Sequence, residues 1–264
     1  AHGGGVSLDS LGDFLAALDR AGELVRVSAP VRARLELCEI ADRVMKSDGG
    51  GKALLFEHVV LDDSARSAYP VAINLFGSLS RMALSLGVDD LDAIAARITA
   101  LMELQVPEGI VAKLALLPRL LELGKFPPRV RSGTPACQEI VGRGDDVDLG
   151  RLPIITCWPE DGGPYITLPM VISRDPKRGI RNVGMYRVQV LGSRSLAMHW
   201  QRHKVGAAHW RAMAERGATM PVCIAVGADP ASMYSASAPL PPTVDEFLFA
   251  GFLRRAPVSL AKAV

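Results

Sequence analysis

Through the first hundred positions, apolar residues recur mostly at helical spacing. Leu11, Phe14, Leu15 and Leu18 fall at i, i+3, i+4 and i+7, with Ser10 placed to cap the helix and Gly22 placed to stop it. Residues 23–27 then alternate like a strand edge, closed by Pro30. Leu35, Leu37, Ile40, Ala41, Val44 and Met45 predict a second helix, ended by three glycines at 49–51. The short apolar runs 53–56 and 70–75, bounded by turn residues, read as buried strands. Leu91, Ile94, Ala95, Ile98, Leu101 and Met102 form another helical stripe, and 110–123 predicts one more helix, interrupted at Pro118. Stripes of this kind are core, and none of these residues is assigned a function.

The texture changes at Phe126, Pro127 and Pro128. Beyond them Pro, Gly and β-branched residues dominate to about position 192, and helical periodicity disappears. Residues 166–173 and 180–191 read as two strands around a turn-rich connection, and 195–200 as a further strand. A helix over 205–216, a strand over 221–226 and a short helix over 244–253 complete the pattern. It predicts an α+β chain in three parts: a disordered tail at 1–7, a mixed helix and strand domain at 8–125, and a β-rich domain at 126–264. The opening Ala1, His2 and three glycines lack a charged region followed by an apolar core, so they read as a processed or appended tail.

Composition narrows the classes. Of 264 residues 49% are apolar and 22% charged, which excludes global disorder and leaves room for a sizeable core. Thirty Lys and Arg against 28 Asp and Glu leave a net charge of +2, spread along the chain. That is no electrostatic footprint for nucleic acid. Lys113, Arg119 and Pro221 break the longest apolar stretches well short of the roughly 18 residues a spanning helix needs. Cys38, Cys137, Cys157 and Cys223 lie far apart with no CxxC pair, so reduced thiols and a cytoplasmic location are expected.

The familiar nucleotide, nucleophile-elbow and zincin motifs are absent. His199 and His203 are four apart, but the alternating segment around His199 and the lack of a third ligand at zinc spacing favour two ordinary polar histidines. More distinctive are four phrases: Trp158-Pro159-Glu160-Asp161-Gly162-Gly163-Pro164-Tyr165, Arg181-Asn182-Val183-Gly184-Met185-Tyr186-Arg187, Met198-His199-Trp200-Gln201-Arg202-His203-Lys204 and Pro239-Leu240-Pro241-Pro242-Thr243-Val244-Asp245-Glu246. On one strand Asn182 and Arg187 point to opposite faces unless a bulge intervenes, and Gly184 is where a bulge or a close approach to a ligand belongs. An Asn, a His and a Glu together offer two oxygens and a nitrogen, a set suited to Mn²⁺ or Mg²⁺.

These phrases resemble the UbiD family of prenylated-flavin-dependent decarboxylases. The opening segment 11–27, Ala53-Leu54-Leu55-Phe56 and Asn74-Leu75-Phe76-Gly77 are similar to that family's N-terminal domain. The resemblance runs from about position 8 to the end. It implies a split β-barrel flavin-binding domain over 126–264, prenylated FMN as cofactor, and Mn²⁺ or Mg²⁺ holding its phosphate, with K⁺ as a further ion. It assigns Asn182, His203 and Glu246 to the metal. Met185, Tyr186, Arg187, His199, Trp200, Gln201 and Lys204 are assigned to the cofactor, with Arg187 catalytic. Lys204 stands where many members carry Arg. The implied reaction is reversible decarboxylation of an aromatic or α,β-unsaturated carboxylic acid. In the family the catalytic arginine works with two glutamates in a Glu-Gly-Pro-Phe-Gly-Glu phrase, and a C-terminal domain mediates homo-oligomerisation. Val264 comes before any such phrase, so a longer polypeptide or a second chain is expected to supply it. The alternative is a flavin-phosphate-binding fragment or subunit without chemistry of its own.

Two expectations separate the readings further. On a helix over 244–253, Val244, Phe247 and Leu248 mark the apolar side and Glu246 lies off it, as a solvated carboxylate would. The resemblance makes it a metal ligand instead. The apolar segment 258–264 is expected to present an exposed edge that drives association.

Overall fold

The computed structural model describes residues 8–102, 124–241 and 244–264. The expected tail at 1–7 and the expected helix at 110–123 lie outside them. The first region comprises α1 (Leu11–Arg20), β1 (Leu24–Val27), β2 (Val31–Arg32), α2 (Glu36–Met45), β3 (Ala53–Phe56), β4 (Val59–Val60), β5 (Val71–Ile73), α3 (Leu79–Ser85) and α4 (Leu91–Met102). Ser10 caps α1 as the sequence predicts, accepting from Asp13 N at 3.1 Å.

β3 is the centre of a sheet ordered β1-β3-β5, parallel to β1 and antiparallel to β5. All four of its residues are buried, because it is covered on both faces. Alternation sends Ala53 and Leu55 to a cluster with Phe14, Leu18 and Leu24 on the α1 side. Leu54 and Phe56 go to a second cluster with Leu37 and Ala41 of α2, Val31 and Val59, which also takes in Ile155 from far along the chain.

Under this sheet lies a polar knot. Arg81 of α3 is fully buried. It donates to Gly51 O at 2.6 Å and pairs with Glu23 at 3.0 Å. Asn74, at φ 60°, donates to Gly50 O at 2.8 Å and Lys52 O at 3.0 Å. The turn at 50–52 is only half-buried, and these two side chains supply donors to its carbonyls. The fit is tight, since a Cβ on Gly50 would stand 2.1 Å from Gly77 O.

The second region comprises β6 (Arg129–Val130), β7 (Tyr165–Ile166), β8 (Met170–Arg174), β9 (Arg181–Met185), β10 (Val188–Gly192), β11 (Ser195–Met198), α5 (Val205–Ala214), β12 (Cys223–Ala225), α6 (Pro230–Ser237), α7 (Glu246–Arg254) and β13 (Ser259–Leu260). Its strands form small sheets: β12-β8-β9 and β11-β10-β7, each antiparallel, and the parallel pair β13-β6.

Three sequence expectations are corrected here. The run 166–173 breaks at Thr167, Leu168 and Pro169 into β7 and β8, which belong to different sheets. The run 180–191 breaks in the same way at Tyr186 and Arg187 into β9 and β10. The segment 258–264 is not an open apolar edge throughout. Val258 is buried against Met170 and Phe247, and Ser259 and Leu260 pair with Arg129 and Val130. Two helices, α3 and α6, were not predicted.

Candidate active site

β9 is an edge strand with a different neighbour on each face. Val183 and Met185 pack with Met233 of α6 and with Phe247 and Ala250 of α7. Asn182 and Gly184 face the other way, paired across the ladder with Ser173 and Val171. The free edge is not left bare. Asp245 caps α7, accepting from Phe247 N at 2.9 Å and Leu248 N at 3.2 Å. The next residue, Glu246, reaches across and accepts from Val183 N at 3.0 Å.

The solvated-carboxylate reading of Glu246 is therefore overturned. The side chain is half-buried, and burial pushes its pKa up, partly offset by the Val183 N–H. Arg181 braces the same corner, paired with Asp245 and stacked over the Phe247 ring at 4.9 Å.

Along this edge opens a cleft of about 690 Å³. Asn182, Met185, Tyr186, His203, Lys204 and Glu246 all line it, together with Arg178, Arg181 and His209. Arg187, His199, Trp200 and Gln201 do not. Arg187 is exposed in the corner between β9 and β10, where its carbonyl accepts from His199 N at 3.0 Å. Because the strand ends at Met185, the opposite-face argument for Asn182 and Arg187 does not apply.

Tyr186 folds back over its own strand. A Cβ on Gly184 would lie 2.4 Å from its ring, so the glycine is needed to admit that ring. The buried Tyr186 hydroxyl accepts from Gly206 N at 3.3 Å and lies 3.5 Å from Asn182 Nδ2. Trp200 stands edge-on to the same ring at 6.2 Å, its buried Nε1 without a partner. This staple ties Asn182 to the start of α5, just past His203 and Lys204.

The donor set fits a hard divalent cation. Asn182 turns its amide nitrogen to Tyr186, leaving Oδ1 available, and Glu246 spends one oxygen on Val183. Among the described residues no three His, Cys, Asp or Glu side chains gather as a cation cage. A cation here therefore depends on the amide oxygen of Asn182 and on ligands from outside the chain, as a phosphate would provide. The N-terminus of α5, with Lys204 at its cap, opens into the cleft and favours an anion there.

Sequence reasoning missed His209. It is buried on α5, and its Nδ1 meets Ser173 Oγ at 3.0 Å. Burial lowers its pKa, with Asp175 opposing. The folded state thus holds the ring neutral below the unfolded value of about 6.5. Stability from this source is complete above that value and falls as pH drops through it toward the lower folded pKa. Between about pH 7 and pH 5 the melting temperature should fall more steeply for the native protein than for His209→Gln, whose amide can still bond Ser173. Equal slopes in thermal melts would reject the assignment.

This mixed α and β architecture matches that of UbiD-class structures. The 3-octaprenyl-4-hydroxybenzoate carboxy-lyase N-terminal domain matches residues 15–100, and the Rift-related domain of the same enzymes matches residues 128–264. The chain belongs to the UbiD family. It is 43% identical to a protein of Aquifex aeolicus over 260 residues, 98% of this chain and 52% of that protein. A protein of Archaeoglobus fulgidus is 41% identical over 251 residues, 95% of this chain and 50% of that one. The chain thus spans about half the length of the curated relatives it matches. Among solved structures, an evolved dimeric form of the UbiD-class enzyme HmfF from Pelotomaculum thermopropionicum, in complex with prFMN, superposes with TM-score 0.79 at 28% identity, covering 97% of this chain and 53% of that one. Vanillic acid decarboxylase of Sedimentibacter hydroxybenzoicus shares the fold, with TM-score 0.78 at 24% identity over 97% of this chain and 51% of that one. No helix among the described residues is long and apolar enough to cross a membrane.

Proposed function

We propose that this chain forms the cofactor-holding part of a reversible decarboxylase acting on an aromatic or α,β-unsaturated carboxylic acid, with prenylated FMN and Mn²⁺ or Mg²⁺. The observation that carries the reading is the convergence of Asn182, His203, Glu246 and Lys204 on one cleft, at the mouth of a helix N-terminus.

Loss of CO₂ from such an acid leaves an electron pair on an sp² carbon that no side chain can delocalise, and the bound flavin supplies the electron sink. The chain's own residues bind and orient. Asn182 Oδ1, the His203 imidazole and the Glu246 carboxylate hold the cation, and Lys204 with the α5 amides draws in the phosphate. Tyr186 keeps Asn182 and α5 in register. Arg187, exposed at the corner between β9 and β10 and outside the cleft lining, would receive the substrate carboxylate, whose charge its guanidinium fork matches. The overall change is carboxylate plus proton to CO₂ plus the protonated carbon.

The test is reconstitution of the full-length protein with prenylated flavin and Mn²⁺, followed by CO₂ release or isotope exchange over a panel of aryl and α,β-unsaturated acids. Turnover of any of them supports the reading. Bound cofactor with silence across the panel supports the non-catalytic binding reading instead.

A further inference from the structure

Away from the cleft, beside α2, an open groove is lined by Arg32, Arg34, Glu36, Glu39, Cys157 and Trp158. Cys157 lines it, and Cys38 packs on the same apolar cluster beside it. Cys38 lies in the first turns of α2, and Cys157 follows Ile155 and Thr156, which run parallel to residues 33–35. Backbone bonds fix that register: Leu35 N donates to Thr156 O at 2.9 Å and Thr156 N to Ala33 O at 3.3 Å. Both cysteines pack on the same apolar cluster of Val31, Leu37, Phe56 and Ile155. Burial pushes the Cys38 thiol up to about 12, and the neighbouring Cys157 adds to the rise. Both are half-buried, and of the two only Cys157 lines the groove.

We propose that Cys38 and Cys157 are a peroxide-sensitive dithiol that closes reversibly into a disulfide, tying α2 to the root of the segment 158–164. That segment leads to Tyr165, which stands edge-on to His199 at 5.2 Å. The groove-lining Cys157 reacts first. As a thiolate its sulfur breaks the O–O bond of hydrogen peroxide, giving a sulfenic acid and, with a proton, one water. The Cys38 sulfur then displaces hydroxide from that sulfur while its own proton leaves with it as the second water. Two thiols are oxidised by two electrons and one peroxide is reduced to two waters.

A metal is the poorer occupant. Among the described residues no third His, Cys, Asp or Glu joins the pair. Metal binding would also need both thiols deprotonated against burial, whereas a disulfide is neutral and suits the apolar surroundings. The bond would close a loop of about 120 residues, so oxidation should raise the unfolding midpoint by about 10 °C.

The experiment treats reduced full-length protein with hydrogen peroxide and maps disulfides by peptide mass spectrometry. The expected result is a Cys38–Cys157 cross-link, reversed by dithiothreitol, with the higher melting temperature. In Cys38→Ser a dimedone-trappable sulfenic acid should accumulate at Cys157, and in Cys157→Ser residue Cys38 should stay unmodified. The proposal is overturned if both thiols of the native protein remain open to alkylation, if Cys157 passes to sulfinic acid without a cross-link, or if only Cys137 and Cys223 join. The native protein carries the decisive measurement, so a serine variant that fails to fold does not remove the test.

Discussion

Glu246→Gln is expected to lower the retention of divalent metal and flavin by about tenfold or more, with little change in folding. The structure separates the two effects. The Glu246 oxygen that accepts from Val183 N can be replaced by an amide oxygen, so the edge of β9 keeps its partner. The cap of α7 is Asp245 and is untouched, and the lost helix-end charge is worth only about 0.3–1 kcal/mol. What disappears is the negative charge facing the cleft, and a neutral amide donates poorly to a hard cation. Asn182→Ala and His203→Ala should act alike, and double variants should lose little more than single ones, because any one disables the site. Metal content and bound-flavin absorbance of purified variants measure this; full retention in Glu246→Gln would remove Glu246 from the ligand set.

Gly184→Ala should be damaging for a different reason. The position lies in ordinary extended strand, so alanine is acceptable to the backbone. The nearest obstacle is Tyr186, whose ring lies 2.4 Å from the new Cβ. That ring cannot swing aside cheaply, since it is buried against Trp200 and a Cβ on Gly206 would itself crowd it at 3.2 Å. Expelling it breaks the hydroxyl's bond with Gly206 N and frees Asn182. A cost of about 1–3 kcal/mol in stability is expected from the overpacking, with loss of flavin retention. The mechanism has a sharp signature. In a Tyr186→Ala background the ring is gone, and adding Gly184→Ala should cost almost nothing further. Additive losses in chemical denaturation would show that the clash is not the cause.

How much of this was legible in the sequence follows from which forces act locally. The cap at Ser10, the stripes of α1 and α2 and the fully apolar β3 are written in nearest-neighbour pattern, and they appear where the pattern puts them. α3 and α6 lack that signal. α3 is short and buries Arg81 and Ser85, while α6 is built largely of small residues and buries almost all of itself. Asp229 followed by Pro230 was the available sign, a cap before a proline at the first helical position. The break between β9 and β10 was hidden because a strand that changes sheets keeps its alternation. The phrases holding Asn182, His203 and Glu246 contribute to the lining of one cleft. What they could not show was the half-burial of Glu246, which depends on a backbone N–H sixty-three positions away. Nor could they show His209, whose helix reads as ordinary.

The parallel pairing of β6 with β13 bears on how the chain is made. The clusters flanking β3 draw mainly on the first hundred residues, so most of that region can settle while the rest is still on the ribosome. β6 has no such opportunity. Its partner is Ser259–Leu260, about 130 residues later, and closing so long a span is entropically slow. Until β13 emerges, Arg129 and Val130 present an unpaired strand edge to the cell, and that interval is when chaperone binding should matter most.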